Sequence, residues 1–198
     1  MKVSKEQMAE NRERILDTAA KLFRERGFDG IGVADLMKAA GFTHGGFYGH
    51  FASKEDLMAQ SSARALANGL AYWENLAEQV KDEPLAALQA RYLSTKHRDH
   101  PGAGCLMAAL GAETARQGAP VRQAVTEGVR SMAGLLARLM PGRSKAVRQQ
   151  KALAAYASMV GALVLARAVD DPALSEEILQ ATAASLGVPP PASVPSAR

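Results

Sequence analysis

Apolar side chains recur at steps of three and four along most of this 198-residue chain, and strict alternation is absent. Ile15, Ala19, Leu22 and Phe23 make the first such stripe, and the spacing predicts a helix over Lys5 to Arg26. Gly27 stands where helices commonly end, while Arg12, Glu13, Arg24 and Glu25 occupy the polar face. Two short helices are predicted next: Val33 to Ala40, stopped by Gly41, and His44 to His50, with Thr43 as N-cap. Ser53, with Asp56 three residues on, opens a longer helix in a shortened capping-box pattern. Pro84, Pro101, Pro120, Pro141 and Pro172 then fall near helix starts or loops, which predicts five or six further helices. Beta-branched residues are scarce and Ala, Leu, Met, Arg, Gln and Glu abound, so the expected fold class is all-α.

The segment Gly32 to Phe51, GVADLMKAAGFTHGGFYGHF, is a short amphipathic helix, a glycine turn and a second short helix beginning at a hydroxyl residue. That is the grammar of a helix-turn-helix. In such a unit the first helix braces the second, whose N-terminal residues meet base edges in the major groove while polar neighbours grip phosphates. Leu36, Ala40, Phe47 and Phe51 are the expected bracing core.

The wider stretch from about Asn11 to Leu57 contains AAKLFRERGF, the turn AAGFT, the F-Y-x-H-F block at Phe47 to Phe51, and Ser53-Lys54-Glu55. Together these resemble the DNA-binding domain of TetR-type transcriptional regulators, and GCLMAALGAE at Gly104 to Glu113 resembles a stretch in the ligand-binding half of some members. The resemblance implies an N-terminal three-helix helix-turn-helix domain over residues 1–52. It is joined to a larger helical ligand-binding and dimerisation domain over 53–187, entered by a long connecting helix from about residue 53. By the same resemblance Tyr48, His50 and Lys54 contact phosphates, Thr43 and His44 begin the recognition helix, and Val33 and Ala34 start the bracing helix at positions that sometimes reach DNA. Each of the first three carries a donor suited to a phosphate oxygen. Packing as ordinary amphipathic side chains is the competing reading of Tyr48 and His50.

Gly32 replaces the threonine that usually caps the bracing helix, and Gly45 and Gly46 leave the reader helix short of reading groups. Each interior glycine costs about 1 kcal/mol relative to alanine, and the compensating gain is close backbone approach to the groove. Contacts with thymine methyls and shape readout then carry more of the specificity. Net charge is +4, yet Met1 to Ala59 holds nine basic and nine acidic residues, so any electrostatic footprint is local. Lys2, Lys5, Lys38 and Lys54 are the candidates for it, with Glu13, Asp17 and Glu25 expected elsewhere.

The remaining composition narrows the alternatives. With 47% apolar and 22% charged residues, wholesale disorder, collagen-like repetition and a disulfide scaffold are excluded. A polar start without a signal-like apolar stretch and one cysteine point to the cytoplasm, and the apolar run Ala152 to Ala166 reads as a buried helix rather than a membrane anchor. Cys105, near a predicted helix start, is a candidate redox sensor; its competing reading is a small buried apolar residue. His97, Asp99, His100 and Cys105 lack metal-ligand spacing, so no metal and no cofactor are expected. No catalytic constellation is visible, and the chain is expected not to be an enzyme. Trp73, Tyr92, Met107, Met132, Tyr156 and Met159 are candidates to line an apolar effector pocket. Ala154, Ala155, Ala157, Ser158, Gly161 and Ala162, with Leu135, Leu136 and Leu139, are expected to build a homodimer interface. The expected partners are therefore a palindromic DNA duplex, a small-molecule effector and a second copy of the chain. The alternatives are a helical small-molecule-binding or interaction protein without sequence-specific DNA binding, and a thiol-based regulator. Proline-rich residues 188–198 read as a disordered tail.

Overall fold

The computed structural model describes residues 4–189, which places Lys2 and the tail beyond Pro189 outside the described residues. Nine α-helices occupy the described part: α1 (Lys5–Arg26), α2 (Val33–Ala39), α3 (Lys54–Gln79), α4 (Pro84–Tyr92), α5 (Thr95–Asp99), α6 (Leu106–Thr114), α7 (Ala119–Leu139), α8 (Lys145–Ala168) and α9 (Pro172–Ser185). Short 3-10 helices at His44–Gly49 and Pro101–Ala103 complete the list, and the described residues contain no strand.

The predicted Gly27 stop and Ser53–Asp56 cap have clear counterparts, and Ser4 supplies a cap that the spacing does not name. Ser4 accepts from the Gln7 amide at the start of α1, and Gly27 ends the helix with φ 81° and ψ 164°, a backbone region open essentially only to glycine. Ser53 Oγ accepts from the Asp56 amide at 3.0 Å, and the Asp56 carboxylate accepts from the Ala52 amide at 3.1 Å. Pro84 and Pro172 stand in the first turns of α4 and α9. Beyond the long helix α3 six further α-helices form, within the five or six expected; the shortest is the five-residue α5.

Among the described residues two compact units emerge, one of residues up to 71 and 100–131, the other of 72–99 and from 132 onward. The first therefore takes in more chain than the helix-turn-helix itself. Its core joins Ile15, Ala19, Phe23, Phe28, Leu36, Met37, Phe47, Phe51 and Leu57 to Leu106, Leu110, Val121 and Val125. Leu36, Ala40, Phe47 and Phe51 are all at most 5% exposed, as a bracing core requires.

The second unit buries Trp73, Leu88, Tyr92, Met132, Leu136, Tyr156 and Met159. Here α8 packs along α9. Three expectations change. Among the described residues α8 is long and apolar enough to cross a membrane, yet it is buried on one face only, with Leu153, Val164 and Leu165 exposed. The small-residue surface also splits: Ala155 and Ala162 face inward, and Leu135 and Leu136 are buried, because the unit's own core needs that side of the helices. Val188, the first residue of the expected tail, is instead packed, its amide donating to Ala183 O.

Candidate nucleic-acid interface

The helix-turn-helix is assembled from local signals. Gly32 precedes α2 without a side-chain cap bond, having no side chain to offer one. Gly41, at φ 83°, turns the chain, and the Phe42 amide donates to Met37 O at 2.8 Å. The segment that follows is a 3-10 helix, His44–Gly49, where an ordinary short helix was expected. Three glycines in six residues give it little α-helical preference, and 3-10 geometry is common in such short pieces. Thr43 occupies the N-cap position, but its hydroxyl makes no cap bond; its carbonyl accepts from the Gly46 amide instead.

This helix presents its candidates unevenly. Phe47 plugs into the core at 1% exposure, while Tyr48 stands 70% exposed. The Tyr48 ring lies edge-on to Phe47 at 5.2 Å and to His44 at 6.2 Å, so His44 and Tyr48 form one exposed pair. Thr43, Gly45 and Gly46 are exposed beside them. His50 is half-buried, its ring 6.4 Å from that of Phe42 and 6.3 Å from that of Phe51. Ala34 is exposed, whereas Val33 is half-buried and packs on the core. Lys54 opens α3, half-exposed.

Three acidic residues of α1 are ion-paired. Arg64 on α3 engages both Glu13 and Asp17 of α1, and Lys21 pairs with Glu25 at 3.9 Å. Glu13, Asp17 and Glu25 are thereby engaged, while Lys38 stays exposed at the end of α2. Two α1 arginines, of which the sequence reading places only Arg12 on the polar face, meet the reader segment: Arg12 lies over the Phe51 ring at 4.8 Å and Arg14 over the Phe42 ring at 4.4 Å. No local spacing announces those contacts, because both partners lie in another helix-turn-helix element.

Family models match both parts of the chain. Residues 15–60 match "Bacterial regulatory proteins, tetR family", and residues 82–182 match "Tetracyclin repressor-like, C-terminal domain". The chain belongs to the TetR family. It is a DNA-binding transcriptional regulator. Among its TetR-family relatives, the transcriptional repressor NemR of Escherichia coli K12 is 29% identical over 137 residues, covering 66% of this chain and 67% of NemR. The reduced form of E. coli NemR superposes with a TM-score of 0.75 at 26% identity, over 90% of this chain and 97% of that one. A TetR-family regulator from Agrobacterium tumefaciens shares the fold, with a TM-score of 0.74 at 21% identity over 90% and 98% of the two chains.

The other candidates of this TetR-family chain lie outside the helix-turn-helix in sequence. Trp73 and Tyr92 stack at 5.7 Å in the second unit, where Met132, Tyr156 and Met159 are also buried; Met107 belongs to the first unit, against its core. A cleft of about 300 Å³ in the second unit is lined by Arg98, Asp99, Arg167, Asp170 and Ser175 among others, and by none of those six. His97 stands edge-on to Tyr92 at 4.6 Å, and its Nδ1 lies 2.7 Å from Tyr92 O. Burial lowers the His97 pKa; the Tyr92 carbonyl pulls it up, and the charges of Arg167 and Arg91 push it down. Cys105 is half-buried at the N-cap of α6. Its neighbour Arg24 donates to Gly102 O, and burial lowers the Arg24 pKa while Cys105 and Glu25 raise it.

Proposed function

We propose that this chain is a homodimeric repressor that grips a palindromic operator and releases it when a small molecule binds. Its DNA-binding head is residues 1–52. Thr43, His44, Gly45 and Gly46 approach the bases, with Val33 and Ala34 at the bracing helix, and Tyr48, His50 and Lys54 hold phosphates. The observation that carries this reading is the exposed His44–Tyr48 pair on a helix anchored from behind by Phe47 and Phe51. Relatives named as repressors support the sign of regulation. Dimerisation uses the stripe Leu153, Ala157, Gly161, Val164 and Leu165 of α8 together with Leu174 of α9, apolar positions that the single chain leaves exposed or half-exposed. A twofold assembly reads a palindrome with half-sites one helical turn, or a multiple of it, apart. The effector acts by binding one of two states more tightly, held in the helical domain over 53–187. The site of action is the cytoplasm.

Selection of sites from a random duplex library by the purified protein, at two salt concentrations, tests this reading. Enrichment of a short palindrome is expected. Salt-sensitive but sequence-blind binding overturns it in favour of an interaction module.

A second reading, a thiol-based regulator, is favoured by the position of Cys105 at a helix N-terminus beside the Arg24 guanidinium, the setting in which cysteines react. Hydrogen peroxide would convert the thiol to a sulfenic acid and release water. Peroxide-dependent loss of DNA binding, reversed by thiol reductant and absent in Cys105→Ser, is the supporting result; identical behaviour of wild type and variant rejects it.

A further inference from the structure

We infer that Arg14, on α1, is a phosphate-binding residue of the DNA interface, placed there by stacking on Phe42. The inference rests on the docking of the His44–Gly49 helix against DNA and extends the interface to the first helix. Its geometry begins with the ring. Phe42 is fixed between the turn at Gly41 and the reader helix, its amide bonded to Met37 O, and Thr43 and His44 follow it directly. Arg14 lies over this ring, guanidinium carbon 4.4 Å from the centroid, and the His50 ring lies 6.4 Å from the same ring. One aromatic side chain therefore gathers Arg14 and His50, a cation and an imidazole, beside the start of the reader helix.

The way Arg14 is held leaves its chemistry unspent. A cation held over a ring by its charge spends none of its N–H donors as hydrogen bonds, and a guanidinium's donors match a phosphate bidentately. Among the described residues the Arg14 side chain has no ion-pair or hydrogen-bond partner. The neighbouring arginines are committed: Arg12 donates to Gln60, Arg24 to Gly102 O, and Arg64 pairs with Glu13 and Asp17. Because Arg64 occupies Glu13 and Asp17, the nearest acidic residues along α1 are engaged elsewhere. Arg14 is thus an exposed cation with a defined position, the form that phosphate contacts take when they set register without reading sequence.

The test is fluorescence anisotropy of the full-length protein with a labelled short duplex of arbitrary sequence, titrated over a series of KCl concentrations. For Arg14→Gln the slope of log K against log salt becomes shallower by about 0.9 per protomer. Binding to the arbitrary duplex and to a selected site weakens by the same factor, since the lost contact carries no sequence information. Arg14→Lys keeps the wild-type slope, and Arg143→Gln, an exposed arginine of the second unit, leaves slope and affinity unchanged. A wild-type slope in Arg14→Gln overturns the inference, as does an equal loss in Arg143→Gln. If the wild type shows no salt-dependent binding at all, the DNA-binding reading falls and this inference with it. Matching thermal melts of wild type and Arg14→Gln keep misfolding from imitating a lost contact.

Discussion

The carboxylate of Glu113, at the end of α6, accepts a hydrogen bond from the backbone amide of Phe28 at 2.8 Å and covers the α carbon of Gly27. A β carbon at Gly27 would lie 2.8 Å from Glu113 Oε1, and Gly27 already holds φ 81°. The α1–α2 turn is therefore shaped around a side chain from a helix 85 residues away. Glu113→Ala is expected to cost about 1–3 kcal/mol, since it strands the Phe28 amide. Gly27→Ala is expected to cost about 1–3 kcal/mol from backbone strain alone. Urea midpoints of both variants should fall without a change in m; an unchanged midpoint in Glu113→Ala would show that the carboxylate contributes nothing to the turn.

His97 makes stability depend on pH in a stated direction. Its folded pKa is lowered from 6.5, chiefly by burial, with the Tyr92 carbonyl opposing and Arg167 and Arg91 reinforcing. Between the lowered value and 6.5 the unfolded chain binds more protons, so this contribution is complete above that window and is lost as pH falls through it. The difference in melting temperature between wild type and His97→Gln should shrink from pH 7.5 to pH 5. A constant difference would rule out His97 as the cause.

Leu165 is 56% exposed on the outer side of α8, next to Val164 and one turn beyond Gly161. Leu165→Glu places two charges across a twofold contact and is expected to yield monomers by light scattering. A dimer of undiminished stability would move the interface elsewhere.

Gly45 has open space around its α carbon and no positive φ, so nothing local requires glycine there. Gly45→Ala is expected to preserve the fold and to add up to about 1 kcal/mol of helix preference. Slower amide exchange over residues 46–50 is the readout. If affinity for a selected palindrome drops while binding to arbitrary duplex does not, the glycine serves backbone approach to the groove.

The sequence alone determined the parts of this protein whose causes are local. The bounds of α1, the glycine turn at Gly41, the Ser53 cap with Asp56, and the buried Leu36, Ala40, Phe47 and Phe51 all follow from periodicity and capping within a few residues. His44 and Tyr48 are singled out by the family resemblance of the AAGFT turn and the F-Y-x-H-F block rather than by spacing. Only the tertiary structure decided that Arg14 meets Phe42, that Arg64 takes up Glu13 and Asp17, and that Glu113 holds the turn at Phe28. It also decided which side of α8 is buried, turning Ala155 and Ala162 inward and leaving Leu165 outside. A helical repeat gives the spacing of apolar positions but not the partner each face meets. That choice belongs to helices brought together from distant parts of the chain, where close packing selects one arrangement.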